Sequence, residues 1–432
     1  MNLRQNGFVL VLLTVLIGIV GDWTADPGAA RLWCLPAALL LLGLSYEALM
    51  TRRTGLSLRL ALGGRWRLAR PVHFTLSLRQ RWRRILTLEL APQSPDGIET
   101  DRCVRTVSVA ADTPTMIELR GVPRRLGDFP WPPQNARLSG ALGLAWWPLQ
   151  LRDVQSVRVI PDIVEHQRRE TGVIAAGARS SARIGSGAQM LQLRNYQPGD
   201  SLRVVDWKSS ARRRQLISRD FSEDQHLDIV VGIDVGRGSG IWCGELDRLG
   251  HYINVTARFA QYAIAQDNQV GLVLFADRPL AAVPPGRGTA AVSRIRRVLQ
   301  AVQLQSTDSN PIHASARIRS LVRQRSLVIL LTDIDDATSG SQLVDAVRLL
   351  QPKHLPFVAG IASPALQEFA RAPARDELDP YYALAAEEHR AQQQRSLKVL
   401  HGLGVPALVA RPEQLERSIL DAYENFRRRR RV

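Results

Sequence analysis

Two apolar stretches near the N-terminus constrain this chain more than any other feature. Residues 7–21 read GFVLVLLTVLIGIVG without a charge, and residues 32–50 read LWCLPAALLLLGLSYEALM with one acid, Glu47. A helix that crosses a bilayer needs about 20 mostly apolar residues, so each stretch spans or nearly spans that thickness. Trp23 and Trp33 flank the connection between them, as interfacial anchors do. The connection holds Asp22, Asp26 and Arg31, whereas Arg4 precedes the first stretch and Arg52, Arg53 and Arg59 follow the second. The positive-inside rule then places both ends in the cytoplasm. The expectation is a transmembrane hairpin over residues 1–53, with spans at about 7–23 and 32–50. A rival reading makes the first stretch a cleaved signal peptide. Ala29 and Ala30 form a poor cleavage site, and the second span with its trailing arginines still leaves the body inside.

The chain has 432 residues, enough for two or three domains, and a formal net charge of +17. Such a charge suits polyanion partners, either nucleic acid or an anionic lipid surface. The basic residues are scattered rather than gathered on one helix face, which also fits an arginine-rich composition with positive-inside signals. Cys34, Cys103 and Cys243 stand far apart and offer neither a disulfide framework nor zinc spacing.

From residue 56 to 160 the pattern changes to period two. LSLRLAL, VHFTLSL, ILTLEL, CVRTVSV, MIELRGV and VQSVRVI alternate apolar and polar residues, with turn clusters such as APQSPDG and PWPPQN between them. Spaced strands of this kind predict a β-sandwich-like domain over residues 54–162. Arg81, Arg83 and Arg84 around Trp82 read as a solvated strand end rather than a nucleic-acid patch. The apolar run ALGLAWWPLQ, residues 141–150, reads as core or an inter-domain contact.

Residues 193–221 read LRNYQPGDSLRVVDWKSSARRRQLISRDF. Gln197-Pro198-Gly199-Asp200 is a turn, because proline presets φ and glycine permits φ > 0. Asp200 and Asp206 lie close in sequence to Arg194, Arg203 and Arg212, and Trp207 can cover an arginine stem or guanidinium face. The set works either as a clasp of arginine–carboxylate forks or as a partner-docking surface. No histidine or cysteine stands nearby as base or nucleophile, which argues against catalysis. The segment resembles the hallmark of the bacterial family called Domain of Unknown Function 58. The matching residues are Arg194, Tyr196, Pro198, Gly199, Asp200, Arg203, Asp206, Trp207, Ala211 and Arg212. The resemblance extends to the layout of membrane hairpin, β domain, signature segment (residues 163–226) and von Willebrand A-like domain. It implies a multi-pass protein of the bacterial inner membrane with cytoplasmic soluble domains. It also implies a protein partner, a MoxR-type AAA+ ATPase.

Residues 227–415 alternate buried strands with helices. LDIVVGID ends at Asp234, VGLVLFAD follows a helical stretch at 251–266, and RSLVILLTD ends at Asp333. PFVAGIA and VPALVA supply further strands around the helical runs VSRIRRVLQAV and QLVDAVRLLQ. The alternation predicts a doubly wound α/β sheet of Rossmann type, in which ligands gather at the carboxyl ends of the strands. The arrangement is similar to a von Willebrand A domain. That resemblance implies a magnesium ion held by Asp-x-Ser-x-Ser, a later Thr and an Asp, all oxygen ligands. Here both serine positions are glycine, Gly236 and Gly238, while Thr289 is the candidate Thr and Asp333 keeps the second carboxylate. The expected metal site is degenerate: Asp234, Thr289 and Asp333, with water completing a magnesium shell, or Arg237 replacing the ion.

Residues 376–400 read as a charged helix, and a last helix starts near Pro412. The region 416–432 ends in a run of arginines that suits a helix C-terminus, an anionic inner leaflet or solvent. The expected function is a non-enzymatic, membrane-anchored interaction or adaptor protein without a certain cofactor. The alternatives are a metal-dependent hydrolase at the Asp234/Asp333 crevice, or a basic membrane protein that binds nucleic acid or anionic lipid. Nucleic acid is the weakest of these partners, since no recognised motif or aromatic-lined groove backs it.

Overall fold

Each apolar stretch folds into one helix, Gln5–Trp23 and Cys34–Arg53, and both are long and apolar enough to cross a membrane. The computed structural model describes residues 2–23, 31–82, 84–162, 184–222, 227–334, 337–369 and 376–430. Residues 24–30, Arg83, 163–183, 223–226, 335–336, 370–375 and the last two residues lie outside the described set, and with them part of the expected hairpin connection and much of the 163–226 signature segment. The chain divides into two units. One is Met1–Asp162 with Gln300–Val302, and the other is Ile163–Leu299 with Gln303–Val432.

The first unit joins the two apolar helices to a β-rich body. A five-stranded sheet orders Asn2–Leu3, Ala145–Leu151, Gln134–Ser139, Leu86–Ala91 and Arg105–Val109, all antiparallel. A four-stranded sheet orders Ser57–Ala61, Val72–Arg79, Thr115–Pro123 and Ile98–Thr100. Strand side chains alternate between the two faces, so one face of each strand carries the apolar set. Leu76, Leu78, Leu88 and Leu90 are fully buried on those faces. Trp66, Phe74 and Trp131 add a cluster of tilted and edge-on rings with centroids 5.0–5.9 Å apart.

Glu47 fastens the second apolar helix to this body. A carboxylate inside an apolar helix is costly in lipid unless it is paired. Here the Glu47 carboxylate is fully buried and accepts the backbone N–H of Leu142 (2.9 Å), Leu144 (3.0 Å) and Ala145 (3.2 Å). It also accepts the Trp147 indole N–H at 3.2 Å. Glycines allow the approach: a Cβ at Gly43 would meet Leu144 Cδ1 at 2.6 Å, and one at Gly140 would strike the carboxylate itself. Just before the first apolar helix, the Arg4 backbone N–H donates to the Leu144 carbonyl at 2.8 Å. The Arg4 guanidinium lies 4.9 Å from the Trp146 ring centroid and donates to Ser139 Oγ at 2.5 Å. The run read as core or inter-domain contact is thus a strand and a turn that grip the helix pair.

The second unit is built on a six-stranded mixed sheet in the order Pro279–Gly286, Gln269–Phe275, Asp228–Asp234, Ser326–Leu331, Leu355–Ile361, Ala407–Ala410. All neighbours are parallel except Pro279–Gly286, which runs antiparallel at the edge. Periodicity alone does not predict that strand, which holds Pro279, Pro284 and Pro285, and an edge is the place where a sheet tolerates prolines. Val230, Val328, Leu330 and Val358 face a core shared with Ile318, Leu343, Val347 and Leu400 of three helices. Those helices are Pro311–Leu321, Ala337–Leu350 and Asp379–Gly402. Helices Arg248–Ala265 and Pro412–Arg430 pack on one another and on the sheet through Phe259 and Tyr423, with ring centroids 5.6 Å apart. The Pro311–Leu321 helix escaped the sequence reading, although Asn310 caps it and Pro311 opens it, a known start signal.

Candidate functional site

The Asp228–Asp234 and Ser326–Leu331 strands lie side by side, so Asp234 and Asp333 reach the same end of the sheet. Between neighbouring central strands with connections leaving in opposite directions, such an end is where ligands gather. Asp234 is buried and its oxygens are engaged. One accepts the Gly236 N–H at 2.8 Å and the Ser309 hydroxyl, and the other accepts the Thr332 hydroxyl at 2.7 Å. The Ser239 hydroxyl donates to the Asp234 carbonyl at 2.8 Å. Two backbone bonds tie down the loop that delivers Ser309. The Gln305 N–H donates to the Val235 carbonyl at 2.8 Å, and the Arg237 N–H donates to the Thr307 carbonyl at 2.9 Å. Burial pushes the Asp234 carboxyl above the usual carboxylate range, against the pull of the Ser309 and Thr332 hydroxyls.

Asp333 pairs with Arg248, the first residue of the Arg248–Ala265 helix. The Arg248 side chain is 1% exposed and that of Asp333 is 21% exposed. Arg237, the cation that the sequence placed here, instead pairs with Asp308 at 2.7 Å in solvent. Thr289 also falls elsewhere. It lies exposed in the first turn of the Gly288–Gln300 helix and makes no hydrogen bond to Asp234 or Asp333. The hydroxyls at the site come from Ser309 and Thr332. Both follow strand or loop ends that only the folded sheet brings together.

These residues do not fit a magnesium ion. An octahedral ion needs a set of open oxygens at about 2.1 Å. Here the Asp234 oxygens are occupied by donors, and a guanidinium already sits on Asp333. A Cβ at Gly238 would lie 3.0 Å from the Asp333 carboxylate, and one at Gly236 would overlap Ser309 Oγ. Among the described residues no three His, Cys, Asp or Glu side chains group as metal ligands.

The signature segment forms a second constellation in the same unit. Strands Ile184–Asn195 and Ile217–Ser222 pair antiparallel, and the segment between them folds back on the pair. Pro198 and Gly199 make the expected turn, with Gly199 at φ +111° and the Asp200 N–H donating to the Gln197 carbonyl at 3.0 Å. Arg194 grips Asp200 with two parallel bonds of 2.8 and 2.7 Å. Asp200 also accepts the Gln197 N–H at 2.9 Å and the Ser218 hydroxyl at 3.0 Å, and the Tyr196 hydroxyl donates to the Asp200 carbonyl at 3.3 Å. The Arg194 guanidinium, then the Gln197 amide, hold the Asp200 carboxyl well below the usual range. Asp206 caps the short helix Trp207–Arg213 by accepting the Ser209 N–H at 3.0 Å, and it pairs with Arg219 at 3.1 Å. The cap bond lowers the Asp206 carboxyl too.

The structure therefore divides the signature set. Arg194, Tyr196, Asp200 and Asp206 are half-buried and hydrogen-bonded within the segment, and Pro198 and Gly199 form the exposed turn between them. Arg203, Trp207 and Arg212 stay exposed, and Trp207 covers no guanidinium among the described contacts. Arg219, which the sequence reading passed over, is the partner of Asp206.

Residues 192–368 match the family model described as Protein of unknown function DUF58. The DUF58 match takes in the signature constellation together with Asp234, Arg248 and Asp333. Curated relatives are likewise uncharacterized. The protein YeaD of Bacillus subtilis is 43% identical over 42 residues, which is 10% of this chain and 11% of that protein. The chain thus spans only a small part of that relative. A protein of Mycobacterium tuberculosis, Rv1480, is 25% identical over 251 residues, 53% of this chain and 76% of that protein. Among solved structures, BatB from Bacteroides thetaiotaomicron is 12% identical with a TM-score of 0.27, covering 40% of this chain and 99% of that one. An uncharacterized membrane-spanning protein from Vibrio fischeri is 17% identical with a TM-score of 0.18, covering 47% of this chain and 99% of that one.

Proposed function

We propose that this chain is a membrane-anchored interaction protein whose α/β unit docks a protein partner at the strand-end face without a metal bridge. One observation carries the reading. The carboxylates that would invite an ion are closed off by Ser309, Thr332 and Arg248, while exposed apolar side chains gather beside them. Ile241 and Trp242 follow the turn that ends at Gly240, and the Leu304 side chain lies against Gly240. All three are more than 40% exposed. Binding energy at protein interfaces concentrates in such aromatic and aliphatic anchors, with a charged rim. The Arg237–Asp308 pair supplies that rim.

In this reading the sheet is of von Willebrand A type with its ion replaced by Arg248. The two N-terminal helices cross the bacterial inner membrane and the soluble units lie in the cytoplasm. The resemblance noted from the signature makes a MoxR-type AAA+ ATPase the first partner to test, in a chaperone-like or envelope-related assembly. We propose no catalytic role. The neighbouring histidines are occupied structurally: His251 bonds the Cys243 carbonyl at 2.9 Å and His313 the Asp277 carbonyl at 2.8 Å. The test is capture of the tagged full chain from mildly solubilised membranes. The wild type should retain an AAA+ ATPase, and Trp242→Arg should lose it with the fold intact. Capture that never retains such an ATPase would remove the proposed partner.

A further inference from the structure

The exposed half of the signature set is a surface with its own chemistry. Arg203, Lys208, Arg212, Arg213 and Arg214 are all exposed, and none makes an ion pair with the described residues. Interleaved with them are Leu202, Trp207 and Leu216, exposed by 65%, 62% and 45%. The fold places these residues together. Val205 bridges Ser218 in antiparallel register, and the Asp206 N–H donates to the Ile217 carbonyl at 2.8 Å. That bridge brings the start of the Trp207–Arg213 helix to the Ile217–Ser222 strand, which Leu216 directly precedes. Arg212 follows Lys208 by four residues on the Trp207–Arg213 helix, so the two share a face. Arg214 ends the helix in the left-handed region, φ +54°, where glycine is the easier residue. The inward half of the set holds the platform rigid through the Arg194–Asp200 fork and the Asp206 cap.

We propose that this platform binds the anionic headgroup surface of a lipid bilayer. Cations alone would suit any polyanion, but a tryptophan and two leucines standing out among them suit an interface that is charged outside and apolar beneath. The same chain also carries two helices able to cross a membrane, so a bilayer is the polyanion held at high local concentration by covalent linkage. Such attraction acts within about 10 Å at 0.1 M salt and weakens as salt rises. This inference stands apart from the partner proposed above, which uses the strand-end face.

The test uses the full chain in lipid nanodiscs, one set of phosphatidylcholine alone and one containing phosphatidylglycerol. A polarity-sensitive fluorophore is attached by Gln215→Cys in a Cys34→Ser, Cys103→Ser background. Cys243, which is buried, is left in place. The emission should shift to the blue in anionic discs only and return on raising salt to about 0.5 M. Arg203→Glu with Arg212→Glu should abolish the shift. Trp207→Gln should reduce it while circular dichroism stays unchanged. Equal emission in the two discs would overturn the proposal. So would a shift that survives the charge reversals, or one produced in neutral discs by a short DNA duplex but not by anionic lipid.

Discussion

Arg248 carries the charge that Asp333 needs, and it does so from inside the fold. Replacing it by Met keeps much of the buried volume but leaves Asp333 without its cation. Breaking a fully buried pair costs about 3–5 kcal/mol, and since Asp333 keeps 21% exposure the expected loss is nearer 2 kcal/mol. Urea unfolding of the variant measures it, and a loss below about 0.5 kcal/mol would mean that the pair is not structural. Asp234 makes a pH prediction of the opposite kind from an ordinary paired acid. Its folded pKa is raised by burial, so its contribution is fullest below the unfolded value of about 4 and is lost as pH rises through the raised value. Asp234→Asn should therefore compare more favourably with the wild type as pH rises from 4 toward neutrality. A stability difference that stays constant over that range would contradict the assignment. Neither Arg248 nor Ser309 was legible in the sequence. Motif spacing pointed to Arg237 and Thr289, but the cation comes from a helix start and the hydroxyl from a loop that returns 75 residues after Asp234.

At the scale of elements, the Glu47 grip and the signature platform each make a demand. Glu47→Leu would suit lipid better but would strand three backbone N–H groups and one indole N–H. Each unsatisfied buried donor costs about 1–3 kcal/mol, partly recovered where water enters. The 139–147 turn should become open to proteolysis in the Leu variant and much less so in Glu47→Gln, which keeps an acceptor. Equal resistance in all three proteins would show the grip to be incidental. The signature platform should loosen in strong acid. Asp200 and Asp206 are lowered, so the stability they add is present above about pH 4 and is lost as pH falls through their depressed folded values. Amide exchange at Asp206 and Ile217 reads this directly, and protection unchanged below pH 2 would count against the fork. The long elements were legible because hydrophobic periodicity marks them: both apolar helices, the alternating strands and the buried parallel strands. The edge strand Pro279–Gly286 was hidden by its prolines. The role of Glu47 was hidden because its four donors lie 95 to 100 residues away.

For the whole molecule, a pair of apolar helices is fixed to a β-rich body, and a separate α/β unit carries the DUF58 match with two outward features. One is a strand-end face whose charges are settled internally beside exposed Ile241, Trp242 and Leu304. The other is the cationic platform around Trp207. The composition announced the excess of positive charge, but only folding shows which cations are spent on Asp200, Asp206 and Asp333 and which remain outside. The proposed metal-free docking requires a strand-end face that is closed to metal. Gly236→Ser with Gly238→Ser would restore the missing hydroxyls of a von Willebrand A site. Both added side chains would be overpacked against Ser309 and Asp333, at a cost of about 1–3 kcal/mol each. The decisive measurement is titration of the full wild-type chain with magnesium and manganese, followed by calorimetry and thermal unfolding. No heat of binding and no rise in Tm are expected at millimolar metal. A saturable heat with a matching rise in Tm, both abolished by Asp234→Ala, would contradict metal-free docking.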